Sequence, residues 1–474
     1  MIFDDRINIV TATDSYKLGH WQQYPKGTTG VYSYLEARTG DTGPQETVFF
    51  GLQPLLERIR ANAVRYEDVD QAFRLARDHF GRSDLFNFKG WSQICEKHAG
   101  RLPLRIKAVA EGTVMPRGNV LMTVENTDPD AYWLTNAMES YLLHVWYPIT
   151  VASLSRDVKV VLSDALKRSG ASLDGLPFML HDFGYRGASS HEVAATGGAA
   201  HLVNFMGTDT VPALLFAARY YEAEGAAGFS IPATEHSIMT ALGREGEFDQ
   251  VQRALDAYPT GLVSIVADSF DYYNFVDKIC SNEFHDQICS RDGKIVVRPD
   301  SVTDLHPTPG ALMVWTLEKL WYAFGGTTNQ KGFRVLDPHV GVIWGDGIDP
   351  RGIQQVVSAA MLAGFSAENL VFGMGGGLLQ KVNRDTMRFA FKSSAQRRDG
   401  EWHDIQKWTI DPSKRSKKGR LGLYKDDGEF YTAAEHMERS DDILSSDDLL
   451  RTVFENGMLK NRTTFADVRE RAAL

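Results

Sequence analysis

Cysteine is scarce in this chain: three residues (Cys95, Cys280, Cys289) in 474, an odd count without metal-site spacing. That excludes a disulfide-stapled scaffold and makes reduced thiols in a cytoplasmic protein the expectation. Long apolar runs are missing as well, and none approaches the roughly 20 residues that cross a bilayer. The opening Met-Ile-Phe-Asp-Asp-Arg is acidic and lacks the apolar core of a secretory leader, so no membrane association is expected. Positive charge is in deficit, with 51 Lys and Arg against 61 Asp and Glu for a formal net charge of −10. This argues against a sequence-independent nucleic-acid binder, while local basic clusters leave anionic small molecules possible. No internal repeat, low-complexity tract or Gly/Ser linker occurs. No His-x-x-x-His or His-x-His pair occurs either, so a zinc site has little support.

What is present is a large chain of ordinary globular composition, 43% hydrophobic and 24% charged. Its length implies two domains, or one barrel with an appended domain. A pattern recurs: a short apolar, often β-branched run, a polar or Gly-rich turn, then an amphipathic stretch. Leu262–Ala267 precedes Asp268 and a helix over Tyr272–Cys280. Lys294–Val297 precedes Arg298-Pro299-Asp300-Ser301 and a helix over Ala311–Phe324. Val340–Trp344 precedes Gly345-Asp346-Gly347 and a helix over Ile353–Ala363, and Leu370–Phe372 precedes Gly373–Gly377. Such alternation predicts parallel β/α architecture, with ligands at the C-terminal ends of the strands. Periodicity does not separate a β/α barrel from an open doubly wound sheet. The N-terminal third differs: Ile106–Val109 and Leu121–Val124 flank a Gly-Thr-Val-Met-Pro-Arg-Gly-Asn turn, as in antiparallel β structure. The expected organisation is therefore a β-rich α+β domain begun by residues 1–145, a β/α barrel over 146–384, and a return to the first domain over 385–474.

The chemistry-bearing residues follow the strands. Asp209, Asp268, Asp300 and Asp346 would stand at one mouth of a barrel, where carboxylates can hold ribose hydroxyls, a magnesium ion or a developing cation; capping of the next helix is the alternative for each. Gly373–Gly377 is a strand-to-helix glycine loop of the kind that lets backbone N–H groups approach phosphate, although it matches neither the dinucleotide nor the P-loop spacing. Lys407 and Lys414–Arg420 form the strongest basic cluster, suited to polyphosphate or simply to solvent. Glu235-His236 offers an imidazole for proton transfer or attack on phosphorus. The densest stretch is 181–209, where Phe183 and Tyr185 offer flat faces, Arg186 a fixed cation and Asp209 an acceptor. That set suits a small aromatic ligand with a polar arm.

Over nearly its whole length the chain resembles the nicotinamide phosphoribosyltransferase family. The matching blocks include Thr13–Lys17, Val31–Tyr34 up to Arg38, Trp146–Ala152, His181–Ser190, His201–Thr210, Glu235–Ser237, Arg298–Ser301, Gly345–Gly347, Gly375–Lys381 with Arg384-Asp385, Asp411-Pro412, and Lys414–Leu421. The resemblance implies an α/β fold: an irregular β/α barrel of the type II phosphoribosyltransferase kind with an appended β-rich α+β domain. It implies a cytoplasmic homodimer with shared active sites. The implied reaction moves ribose 5-phosphate from phosphoribosyl pyrophosphate to nicotinamide, giving nicotinamide mononucleotide and pyrophosphate, with Mg²⁺ as cofactor and ATP as an assisting co-substrate.

Carried over by position, Phe183 and Tyr16 match the rings that sandwich the pyridine, Tyr16 coming from the other subunit. Asp209 matches the carboxamide acceptor and Arg186 the arginine beside the ring. Arg298, Asp300, Gly345, Asp346, Gly375 and Gly376 match positions lining the ribose 5-phosphate. Arg384 and Lys392 match phosphate contacts made across the dimer; Arg38, Lys407, Lys414 and Arg420 match the basic pyrophosphate/ATP end. His236 matches a histidine phosphorylated from ATP, with Asp268 its carboxylate. Mg²⁺ would be carried mainly by pyrophosphate, with Asp268 and Asp300 as candidate ligands. Departures from the pattern are Val302 for a glycine, Met374 for a small residue, Ala390 for a phosphate-contacting serine and His191 for a glutamine.

Overall fold

The computed structural model describes residues 6–410, 415–434 and 448–474. They form two compact units. One runs from the chain start to Ser153 and adds Arg219–Ala223 and Asn383–Ala473; the other comprises Leu154–Ala218 and Glu224–Val382.

In the second unit six parallel strands lie in the order Gly207–Thr208, Leu180–Asp182, Leu370–Met374, Val340–Trp344, Asp292–Arg298, Thr260–Val266. Val342 pairs with Leu370, Phe372 with Leu180, and Val263 with Ile295. The outer strands are not left as open edges. Parallel bridges Gly207↔Phe229 and Ala233↔Ser264 run through the segment 229–233, and the Thr208 and Ser264 N–H groups donate to the Phe229 and Pro232 carbonyls at 2.9 Å. The sheet therefore curls on itself, and the barrel alternative holds over the open sheet. Alternation of side chains explains the sequence pattern. Leu262, Ser264, Val296 and Arg298 face a cavity inside the sheet, while the intervening Val263, Ile265, Ile295 and Val297 are buried on the other side. A strand buried on both faces reads as a continuous apolar run.

The helices begin where their capping chemistry places them. Asp271, Thr308 and Asp349 each accept the N–H of the residue three further on, opening Tyr272–Ile279, Pro309–Phe324 and Pro350–Leu362, with proline in the first turn of the latter two. This decides a question left open by the sequence. The caps are taken by these residues, so Asp268, Asp300 and Asp346 stand on the strand-to-helix turns with no capping duty.

The first unit centres on a seven-stranded antiparallel sheet ordered Glu401–Asp404, Phe389–Arg398, Thr28–Ala37, Val120–Asn126, Leu104–Ala108, Arg451–Glu455, Met458–Leu459. Both ends of the chain thus build one sheet. Ile106 and Val124 pair across it, but the segment between them is more than a turn, since Val114–Pro116 forms a separate ribbon with Glu46–Val48. Arg219–Ala223 belongs here because fully buried Glu111 accepts the Tyr221 hydroxyl at 2.5 Å and the backbone N–H groups of Gly51 and Gln53 at 2.8 and 2.6 Å. Among the described residues no helix is long and apolar enough to cross a membrane.

Candidate active site

The barrel opens on a cavity of about 370 Å³ whose lining includes Phe178, His181, Phe183, Asp209, Ser230 and Arg298 with aliphatic side chains between them. Phe183 follows directly on the strand Leu180–Asp182, and its N–H donates to the Met374 carbonyl at 3.0 Å. Its ring lies so close to neighbouring backbone that a Cβ on Gly373 would stand 2.0 Å from it, and one on Gly345 would stand 3.0 Å away. Neither glycine has a positive φ, so close approach of the ring, rather than backbone conformation, requires them. Asp209 follows Gly207–Thr208, and Ser230 donates to its carboxylate. Arg298 donates to the Thr234 carbonyl at 3.2 Å, while its buried Nε has no partner among the described residues. An aromatic face, a fixed carboxylate and a partly free guanidinium thus share one largely apolar pocket, the composition of a small-molecule site.

At the same strand ends His236 Nε2 lies 3.0 Å from Asp268 Oδ1, and its Nδ1 lies 4.0 Å from Asp300 Oδ2. The Ser301 hydroxyl holds the other Asp268 oxygen. The imidazole is 46% exposed against 10% for the Asp268 side chain, so the carboxylate is fixed behind a reachable ring. Desolvation, then the charges of Asp300 and Asp268, push the Asp346 carboxyl above its usual range. Three carboxylates therefore bear on a common space, which favours a developing positive charge or a cation there. Among the described residues no three His, Cys, Asp or Glu group as a self-sufficient metal cage.

The first unit carries a second constellation. Arg38, Arg384, Lys392 and Lys407 line one cavity of about 300 Å³ together with Arg388, Glu139 and Ala390. Glu36 is buried and accepts from Arg38 Nε at 3.2 Å, from the Tyr34 hydroxyl and from Lys417. Arg38 is thereby held with its buried Nη2 unpartnered among the described residues. Burial lowers the Lys392 pKa; Glu139 opposes that, while Arg38, Lys17 and Lys407 reinforce it. Clustered cations that depress one another's charge form a receptor for a polyanion.

The residues singled out in the sequence are thus sorted. Phe183, Asp209 and Arg298 share one cavity; His236, Asp268, Asp300 and Asp346 form one cluster; Gly345 and Gly375 border Phe183. Gly376 faces open space, and a Cβ added there would meet nothing within 4 Å. Tyr16 is 60% exposed and belongs to the first unit, and Arg186 is exposed on the turn Tyr185–Gly187. Arg420 does not line the cation cavity; it lies over Trp402 and 3.7 Å from Glu125. Lys414 lies outside the described residues, as does Asp411-Pro412. Sequence reading gave no role to Ser230, Ser301, Arg388, Glu139 and Lys417, whose roles depend on neighbours far away in the chain; Ser301 and Lys417 lay within segments already noted.

A family profile described as the nicotinate phosphoribosyltransferase family matches residues 178–458, and one described as the nicotinamide phosphoribosyltransferase N-terminal domain matches residues 8–106. The chain is 44% identical over 471 residues to the nicotinamide phosphoribosyltransferase of Xanthomonas campestris pv. campestris, covering 98% of each. It is 32% identical over 498 residues to that of Acinetobacter baylyi, covering 99% of this chain and 97% of the other. In fold it matches the crystal structure of nicotinate-nucleotide pyrophosphorylase from Pyrococcus furiosus with a TM-score of 0.61 and 14% identity, covering 99% of this chain and 95% of that one. The last likeness concerns architecture alone. With a family profile over more than half its length and relatives matched nearly end to end, the chain belongs to the nicotinate phosphoribosyltransferase family and is a phosphoribosyltransferase, a pentosyl-transferring enzyme.

Proposed function

We propose that the base accepted by this enzyme is nicotinamide and the product nicotinamide mononucleotide. The observation that carries this reading is Asp209: a carboxylate set by Ser230 in the Phe183 pocket accepts from a carboxamide N–H and repels a carboxylate. The names of the two curated relatives support the same base. The pyridine nitrogen attacks C1 of the ribose, the C1–O bond to pyrophosphate breaks, and the electron pair leaves with pyrophosphate. Phe183 aligns the ring for that attack. Asp268, Asp300 and Asp346 stabilise the oxocarbenium character at C1, and Arg38 and Lys407 are the candidates for the leaving pyrophosphate.

The remaining assignments belong to the same proposal. Mg²⁺ would be carried mainly by the pyrophosphate, with Asp268 and Asp300 as its candidate protein ligands; a site offering one or two carboxylates suits a cation that keeps most of its oxygens from substrate and water. ATP assists by phosphorylating His236. With Nε2 directed to Asp268, the exposed ring presents Nδ1 as the nucleophile. The enzyme acts as a homodimer in which Tyr16, Arg384 and Lys392 serve the partner's site. Three unpaired thiols support a reducing, cytoplasmic setting.

The test is product formation from phosphoribosyl pyrophosphate and Mg²⁺, with nicotinamide and nicotinate supplied in parallel, with and without ATP. Preferential nicotinamide mononucleotide, formed faster with ATP, is the expected result. Preference for nicotinate overturns the Asp209 argument.

A further inference from the structure

Beneath the base pocket lies a carboxylate to which nothing above gives a task. Asp182 ends the strand Leu180–Asp182 and is fully buried; among the described residues no cation pairs with it, and Asp209 is the charged group that faces it. Its Oδ1 accepts the Gly184 N–H at 2.7 Å, on the turn that carries Phe183. Its backbone carbonyl accepts the Asp209 N–H at 2.9 Å. Its Oδ2 and the Thr210 hydroxyl that it faces are both buried without a hydrogen-bond partner among the described residues. The helix His191–His201 closes over Oδ2 so tightly that a Cβ on Gly198 would stand 2.9 Å from it. One buried side chain therefore touches both turns that build the base pocket, and does so as an unpaired charge. An apolar or amide residue would serve packing at lower cost, because an uncompensated buried charge is strongly unfavourable.

We propose that Asp182 is a positioning and selectivity residue: it fixes the Phe183 and Asp209 turns through Gly184 and Thr210, and its charge adds to that of Asp209 to exclude an anionic ring substituent. The inference rests on the nicotinamide reading and deepens it. Burial raises the Asp182 carboxyl to about 6, and the Asp209 charge contributes in the same direction, so the second charge is present at pH 8 and withdrawn below pH 6.

The decisive variant is Asp182→Asn. Its amide oxygen still accepts from Gly184 and its NH₂ faces the Thr210 hydroxyl, so the hydrogen bond to the Phe183 turn survives while the charge goes. Steady-state kinetics at pH 8 should show the nicotinamide-to-nicotinate ratio of kcat/KM falling by about tenfold, through a lower nicotinate KM, while the melting temperature rises. A well-folded variant with the parent's ratio overturns the inference. Should the variant fail to fold, the parent's own ratio between pH 8 and pH 5.5 decides: a fall through about pH 6 supports the charge, and a flat profile overturns it. A parent that accepts neither base, or prefers nicotinate, overturns the functional reading itself and this inference with it.

Discussion

Three glycines, two against the Phe183 ring and one facing open space, offer a graded test of where ligand sits. A Cβ on Gly373 would stand 2.0 and 2.1 Å from two ring carbons, so Gly373→Ala must move the ring by about 1.5 Å to restore ordinary contact. Overpacking of this kind costs about 1–3 kcal/mol, and a displacement of 1 Å at a reacting group costs on the order of 100-fold in rate. Gly345→Ala meets the same ring at 3.0 Å and asks for only a few tenths of an ångström, so a loss of about tenfold or less is expected. Gly376→Ala meets nothing within 4 Å, its φ is not positive, and alanine favours the helix Gly376–Leu379. By packing alone it should be neutral or slightly stabilising. Each variant is to be assayed for kcat and for KM toward nicotinamide and phosphoribosyl pyrophosphate, beside its melting temperature. The expected pattern is a raised nicotinamide KM and lower melting point for Gly373→Ala. For Gly376→Ala it is an unchanged melting point with a phosphoribosyl pyrophosphate KM raised about tenfold, as the proposed phosphate role of the loop requires. A fully active Gly376→Ala enzyme would refute the phosphate role of the loop, and a Gly373→Ala enzyme with the parent's nicotinamide KM would refute the stacking role of Phe183.

Other perturbations separate the remaining groups. Asp209→Asn should reduce discrimination between nicotinamide and nicotinate, and equal selectivity in variant and parent would remove Asp209 from the recognition argument. His236→Ala should abolish stimulation by ATP while slow transfer persists, which product formation with and without ATP reads directly. Lys392, with its pKa lowered chiefly by burial, loses its proton at a lower pH than an ordinary lysine. The KM for phosphoribosyl pyrophosphate should therefore climb in the alkaline range below the usual lysine value, and Lys392→Met should flatten that climb. Glu111→Gln turns an amide NH₂ toward one of three donors, which should lower stability by about 1–3 kcal/mol in thermal melts while leaving the kinetic constants of the folded enzyme unchanged.

How far the sequence could be read depended on whether the cause of a feature is local. Leu262–Ala267, Lys294–Val297, Val340–Trp344 and Leu370–Phe372 announced themselves as strands because burial on both faces makes an unbroken apolar run, and the helices after them carry their own caps. The four aspartates were legible as strand-end groups for the same reason. Closure of the sheet was not legible, since it rests on the irregular segment 229–233, whose Pro232 and short bridges leave no period-two pattern. Within the site, Phe183, Asp209 and His236 stood out by residue type and position. Ser230, Ser301 and Asp182 did not, because a hydroxyl or a buried carboxylate acquires its role only when another segment delivers its partner. Lys417 lay inside a recognised basic run, yet nothing in that run signals that Glu36 would hold it.

The electrostatic design explains why a chain of net charge −10 can bind a polyphosphate. The second unit gathers Asp209, Asp268, Asp300 and Asp346 at the strand ends, a negative environment matched to a neutral base and to a positive C1. The first unit gathers Arg38, Arg384, Lys392, Lys407 and Arg388 in one cavity, matched to pyrophosphate. Burial raises the Asp346 pKa and lowers that of Lys392, and like charges nearby, Asp300 and Asp268 in the one case and Arg38, Lys17 and Lys407 in the other, act in the same direction. Buried Asp182 fits the same logic. Its pKa near 6 against an ordinary 3.8 means that the folded state holds the proton more tightly than the unfolded one; the stability this gives is complete at low pH and is lost as pH rises through about 6. The loss is on the order of 3 kcal/mol at neutral pH, a cost that packing alone would not sustain and that selectivity at the base pocket accounts for.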